Sequence, residues 1–160
     1  MKQRIRAAGI LIHQHSILLL KVKDFTGEYW VPPGGGFEEG DKSSKACLVR
    51  EFKEEAGLEI EVGDLVCVRE FLETEKNRYH CELFYHVTSH RGEPHLNNLA
   101  GLNDEHYIQK VEWVKLSELA EKRIYPKELA HKLLDLIDNQ EFSTHLGSYV
   151  QGEQEEVDYL

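Results

Sequence analysis

Basic residues are scarce in this chain of 160 residues, where 19 Lys and Arg stand against 29 Asp and Glu for a net charge of −10. A surface so biased disfavours nonspecific binding to nucleic acid or to an anionic membrane. Long apolar runs are missing as well. No stretch reaches the about 18 apolar residues that a spanning helix needs, so no membrane partner is expected. The N-terminal stretch MKQRIRAAGILIHQHSILLLKVK starts basic and turns apolar, but His13-Gln14-His15-Ser16 interrupts it. The following Ile17–Leu20 is too short for the core of a signal peptide, and two strands are the better reading. Cysteine is limited to Cys47, Cys67 and Cys81, an odd set without a short paired spacing. Three reduced, mostly buried thiols in a cytoplasmic protein are therefore expected, rather than disulfides or a zinc site. No internal repeat and no second domain are visible, and the length suits a single core.

What is present instead is one segment of concentrated chemistry, Pro32 to Leu58 (PPGGGFEEGDKSSKACLVREFKEEAGL). Gly34-Gly35-Gly36 reads as a run that no regular element tolerates, one in which backbone groups approach a ligand or metal. Ser44 to Ala56 has helical periodicity, with Ala46, Val49, Phe52 and Ala56 as its apolar stripe and Gly57 suited to a left-handed C-cap. Asp41, Ser43 and Ser44 supply N-cap chemistry. Glu51, Glu54 and Glu55 stand at i, i+3 and i+4, on roughly the face opposite the stripe. Like charges so placed cost about 0.2–0.5 kcal/mol per pair. A bound hard cation explains why they are kept together, since Mg²⁺ and Ca²⁺ take carboxylate oxygens.

The rest of the chain reads mainly as strands. Arg4 to His13 and Ile17 to Val22 are joined by a polar turn, and the lone His13-x-His15 pair in that turn is read as no metal site. A short strand ends at Trp30-Val31, because Pro32-Pro33 removes donors. Leu58 to Leu72 gives two strands or one with a bulge at Gly63-Asp64, and Tyr79 to Ser89 gives another. His90 to Glu105 is a loop of a length that tends to be functional. Tyr107 to Leu116 resumes strand character, and Ser117 opens a short helix. Pro126 begins the last helix, whose stripe Leu129, Leu133, Leu136 and Ile137 packs on the sheet. Asn139 to Leu160 has little periodicity, and its final ten residues are expected to be mobile or in oligomer contacts.

The glycine triplet followed by Arg50-Glu51-Phe52-Lys53-Glu54-Glu55-Ala56-Gly57-Leu58 resembles the Nudix box, G-x5-E-x7-R-E-U-x-E-E-x-G-U with U apolar. The second half matches at every specified position. Trp30-x-Pro-Pro-Gly-Gly before the box and Val111-Glu112-Trp113-Val114 after it also look like that family, so the resemblance spans residues 5–137. The first half departs. Counting back from Arg50 puts Lys42 at the expected glutamate, whereas counting forward from Gly35 puts Asp41 there with one residue too many before Arg50. We read a one-residue insertion, with Asp41 as the shorter acid.

The resemblance implies an α/β fold, an α/β/α sandwich with a central mixed β-sheet, over residues 1–138, followed by an acidic extension, 139–160. It implies Mg²⁺-dependent (alternatively Mn²⁺-dependent) hydrolysis of a nucleoside diphosphate linked to another group, such as a nucleoside triphosphate or ADP-ribose. Phosphoanhydride cleavage needs charge neutralised on phosphoryl oxygens and a water made nucleophilic, and Mg²⁺ does both. By this resemblance Glu51 and Glu55 are metal ligands and Glu54 is a third ligand or the base. Gly35 or Gly36 adds a backbone carbonyl, and Arg50 orients a carboxylate. An acid from the late loop is expected to join, with Glu105 nearest and Asp104 and Glu112 competing. Phe25, Tyr29 and Trp30 are candidates for stacking on a base, with core packing the equal alternative, and Asp41 is a further substrate-side candidate. Glu38 and Glu39 read as solvated acids and His106 as an exposed histidine. A small nucleotide is the implied partner, and a homodimer is carried over from the family. The competing reading is a catalytically weak Nudix-fold binding or regulatory module, motivated by the disturbed Asp41/Lys42 position. None of the family's short substrate signatures after the box is found, which leaves nucleoside triphosphates and ADP-ribose both open.

Overall fold

The structure, a computed structural model, describes residues 1–151 and 156–158. The Ile17-Leu18-Leu19-Leu20 run lies on a strand covered on both faces, so every residue in it is buried. Leu18 enters a cluster with Leu48 and Phe52, while Ile17 and Leu19 enter one with Leu129, Leu133 and Leu136. Ala7 and Ala8 divide between the same two clusters. The helix bearing Phe52 and the helix bearing Leu133 therefore sandwich the strands, which is the α/β/α layering.

Among the described residues ten strands and two α-helices build it: β1 (Lys2–Ile10), β2 (Ile12–His13), β3 (Ser16–Asp24), β4 (Gly27–Val31), β5 (Gly34–Gly36), α1 (Ser44–Ala56), β6 (Glu59–Glu73), β7 (Arg78–Arg91), β8 (Ile108–Lys115), α2 (Lys132–Asp138), β9 (Thr144–Gln151) and β10 (Glu156–Asp158). The larger sheet has the order β10-β9-β6-β7-β1-β5 and is mixed, because β1 runs parallel to β7 and β6 parallel to β9. In the smaller sheet β2, β4 and β8 pair with β3, all antiparallel. The turn between β2 and β3 has positive φ at both Gln14 and His15, as a tight hairpin turn requires. Among the described residues no helix is long and apolar enough to cross a membrane. The thiols of Cys47, Cys67 and Cys81 are free.

Four expectations need correction. The glycine triplet is a strand, pairing Gly34, Gly35 and Gly36 with Ala8, Ala7 and Arg6. Its lack of side chains serves close approach, since a Cβ on Gly34 would stand 2.2 Å from the Ala7 carbonyl oxygen. The apolar stripe of α1 is Cys47, Leu48, Phe52 and Ala56, with Ala46 and Val49 outward. The inward side continues through Glu51 and Glu55, so those acids flank the apolar stripe and are buried with it. After Pro126 the chain first makes a 3-10 turn (Lys127–Ala130), and α2 begins only at Lys132 because His131 has non-helical φ and ψ. Leu129, Leu133 and Leu136 are buried all the same. Beyond residue 138 the chain returns to the sheet as β9 beside β6. The expectation of mobility or oligomer contacts for the final ten residues falls largely on 152–155 and 159–160, outside the described residues.

Three local readings stand. Helix α1 has the expected bounds; its N-cap is Ser43, whose Oγ accepts the Ala46 N–H at 3.0 Å. Gly57 is left-handed (φ 69°) and donates its N–H to Phe52 O. β6 is one strand with register shifts between Glu61 and Cys67.

β1 and α1 meet at a close apolar junction. A Cβ on Gly9 would stand 2.5 Å from the Phe52 ring and 2.8 Å from Val87. Gly9→Ala is expected to cost about 1–3 kcal/mol by overpacking. Adding Phe52→Leu should recover part of that loss, so the double variant is less destabilised than the two single changes summed. Urea unfolding of the four proteins measures the coupling, and strict additivity would contradict this packing.

Candidate active site

Helix α1 presents Glu51, Glu54 and Glu55 to the edge of β5, where bare glycine backbone lets the carboxylates come close. A Cβ on Gly35 would lie 2.2 Å from Glu51 Oε1, so only glycine leaves room for that carboxylate. Glu55 Oε2 accepts the Gly34 N–H at 2.7 Å, a bond with both partners buried. Glu51 and Glu55 are 5% and 4% exposed, which is rare for carboxylates without a bound countercharge. Burial pushes the Glu51 carboxyl up to about 7 against the pull of Arg50, and it pushes Glu55 well up, aided by the neighbouring Glu51 charge.

Arg50 organises this acid group. Its Nη1 donates to Glu51 Oε1 at 3.0 Å and to Glu54 Oε2 at 3.1 Å; its Nη2 donates to Gly36 O at 3.0 Å. Nε and Nη2 together hold both oxygens of Asp41, at 3.1 and 2.8 Å, the forked geometry that guanidinium favours. Hydrogen bonding to Arg50 draws the Asp41 carboxyl down to about 2. The Asp41 carboxylate also accepts the Glu38 N–H, which fixes the loop leading into α1. A second arginine works from β1. Arg6 donates to Glu82 Oε1 at 2.8 Å and to Gly34 O at 2.7 Å, so the Gly34 peptide links Arg6 to Glu55.

Of these groups Gly36, Glu38, Glu51, Glu54 and Glu55 line a cleft of about 610 Å³, together with Arg4 and Asp104. A larger cavity of about 890 Å³ opens beside it and shares Arg4, Glu55 and Asp104. Among the described residues no three His, Cys, Asp or Glu side chains converge closely enough to hold one metal ion in common. The acids are instead spread over Arg50 and the Gly34 N–H.

The structure thus brings together Arg50, Glu51, Glu54, Glu55, Gly35, Gly36 and Asp41. Glu105 is not with them. Its carboxylate turns back to accept the Gly101 N–H at 3.0 Å, and Asp104 is the acid of that loop in the cleft wall. Glu112 pairs with Lys110 on β8, and Glu39 and His106 are exposed. Trp30 packs against the core beneath Lys122, and Phe25 is 80% exposed at the rim of the larger cavity. Tyr29 lines that cavity, hydrogen-bonded to Asp24 and Tyr107. Sequence reasoning missed Arg4, Arg6 and Glu82. The signal was an Arg-x-Arg pair on an otherwise apolar strand, which puts both cations on one face. Glu82 stands opposite Arg6 in the β1–β7 register, a pairing not visible before the fold.

Comparison with known proteins identifies the fold and the family. No curated protein sequence matches the chain. Among solved structures, a mutator MutT protein from Bacillus halodurans is 19% identical with a TM-score of 0.68 and coverage of 97% of each chain. The E. coli ORF135 protein is 24% identical (TM-score 0.65; 88% of this chain, 92% of that one). An ADP-ribose pyrophosphatase from Streptococcus suis is 21% identical (TM-score 0.57; 89% and 97%). The family model described as the NUDIX domain matches residues 3–135, and the acids, arginine and glycines described above fall within it. The chain belongs to the Nudix hydrolase family.

Proposed function

We propose that this enzyme hydrolyses a phosphoanhydride bond in a nucleoside diphosphate linked to another group, with Mg²⁺ or Mn²⁺ ions that would take oxygens from Glu51 and Glu55 and complete their shells with backbone carbonyl, water and substrate oxygens. The observation that carries this reading is the burial of Glu51 and Glu55 against the bare backbone of β5, at the wall of an open cleft. Carboxylates kept dry at such a cost answer to a countercharge that arrives with the substrate. The carboxylate and backbone oxygens at the cleft come from three glutamates, Asp104 and Gly36, which is the chemistry of a hard divalent cation. When bound, such an ion supplies charge neutralisation and a water of lowered pKa.

The residues themselves divide the work. Glu55, fixed by the Gly34 N–H, and Glu51, fixed by Arg50, provide anchored oxygens. Glu54, with 30% of its side chain exposed, is the most open to water and is placed to take a proton from the attacking one. Arg50 holds the carboxylates apart and in register. Asp41 engages Arg50 with two bonds, so a first-half acid is in service, which favours the enzyme over the binding-module reading. A small nucleotide substrate, a reducing cytoplasmic setting for the three free thiols and a homodimer complete the proposal.

Glu55→Gln keeps the bond to Gly34 but removes the charge. It is expected to lower kcat by roughly 10²–10⁴-fold with an unchanged circular dichroism spectrum. Turnover like that of wild type would sink the assignment; so would the absence of phosphate or nucleoside monophosphate release from a full nucleotide panel with Mg²⁺.

Asp41 makes a separate prediction. Its folded pKa lies below the ordinary 3.8, so its contribution to stability is present above that value and is lost as pH falls toward 2. Asp41→Asn should therefore be less stable than wild type at neutral pH, with the gap closing between pH 3.8 and 2. Urea unfolding across that range reads it directly, and a gap of constant size would exclude the Arg50 pair as its source.

A further inference from the structure

Of the seven arginines in the sequence, five line the larger cavity: Arg4, Arg6, Arg69, Arg78 and Arg123. The same wall carries Asp24, Glu55, Glu73, Glu75, Glu82 and Asp104, so the cavity is mixed in charge and what matters is which arginines are left without a partner. Three of the five are spoken for. Arg6 is held by Glu82 and Gly34 O, Arg69 by Glu82 and Glu128, and Arg123 by Thr26 beneath the rings of Tyr29 and Tyr125. Arg4 and Arg78 have no ion pair and no side-chain hydrogen bond among the described residues.

These two stand close together on neighbouring parallel strands, since Arg78 lies opposite Lys2 and Arg4 opposite His80. Arg4 leans over the cleft floor, where a Cβ on Gly36 would meet its Nε at 3.3 Å. Desolvation at the cleft wall lowers its pKa, and Arg6 and then Arg78 lower it further, against the pull of Asp104 and Glu51. Side by side the two guanidinium groups repel, and Asp104 and Glu51 offset this at Arg4 only in part, without an ion pair. They sit where a ligand running from the acid cleft into the larger cavity would pass, because Arg4 belongs to both walls.

We propose that Arg4 and Arg78 form an anion subsite for a phosphoryl group of the substrate other than those at the acid cluster. The substrate then carries a charged distal group, as a nucleoside triphosphate does, rather than ending in an uncharged sugar. This rests on the hydrolase reading for the direction of the substrate, while the subsite itself is defined by the two arginines. Guanidinium suits the role because its fork of donors matches phosphate oxygens.

The test has a binding arm and a kinetic arm. Inorganic triphosphate is titrated calorimetrically into the metal-free protein in EDTA. Wild type should bind, and Arg4→Gln and Arg78→Gln should each weaken binding about tenfold, the ordinary effect of losing a charge-assisted hydrogen bond. Lys110→Gln, on β8, serves as the charge-matched control and should bind like wild type. No binding by wild type, or equal binding by all four proteins, overturns the subsite. In the kinetic arm, a nucleoside triphosphate and a nucleoside diphosphate hexose with the same base are compared. Arg78→Gln should raise KM for the triphosphate about tenfold more than for the hexose. Equal changes in KM overturn the subsite while leaving the hydrolase reading in place. Hydrolysis of neither substrate by wild type counts against the hydrolase reading alone, and the titration then decides the subsite without turnover.

Discussion

Gly35 has no side chain because the carboxylate of Glu51 occupies the space where one would be. That single exclusion sets the distance between α1 and β5, and the other contacts follow from it. With the helix this close, Glu55 reaches the Gly34 N–H and Arg50 reaches the Gly36 carbonyl. On the other side of the strand, the Ala7 carbonyl leaves no room for a Cβ on Gly34. Two layers of bare backbone and one helix are thus pressed together at the point where the acids emerge. A side chain on Gly35 would displace the Glu51 carboxylate, and one on Gly34 would part β5 from β1.

Buried carboxylates are destabilising unless they are paired, and this fold distributes the compensation over two arginines from different elements. Arg50 serves Asp41, Glu51 and Glu54 from within α1, whereas Arg6 serves Glu82 and, through Gly34, the Glu55 side. The same cation therefore stabilises the folded chain and aims the acids. Replacing Arg50 by lysine would keep the charge and lose the fork.

How much of this was legible depends on how local the cause is. Helix α1 was readable to the residue because its signals, Ser43 before it and Gly57 after it, lie within the segment. The box acids were readable from spacing alone. Their burial was not, because an i, i+4 series of glutamates looks the same whether it faces water or a strand of glycines. The glycine triplet read as irregular, since its reason for lacking side chains is a helix eight residues further on. The late-loop acid went to Glu105 over Asp104 for a similar cause, as neighbouring loop residues point in different directions only once the turns are formed. Arg4 and Arg6 needed the parallel register with β7 before their surroundings could be known.

That register has a consequence for the order of assembly. The side-chain pair Arg6–Glu82 joins residues 76 positions apart, and β6 takes its other neighbour from β9 at the far end of the described chain. Neither parallel pairing can form until the intervening segments have left the ribosome. During synthesis β1 has only the three-residue β5 to pair with on one edge, and Arg4 and Arg6 within the strand discourage the other edge from pairing with another copy. The cations of the cleft thus act twice in the life of the chain, first as guards on a nascent edge and later as walls of the site.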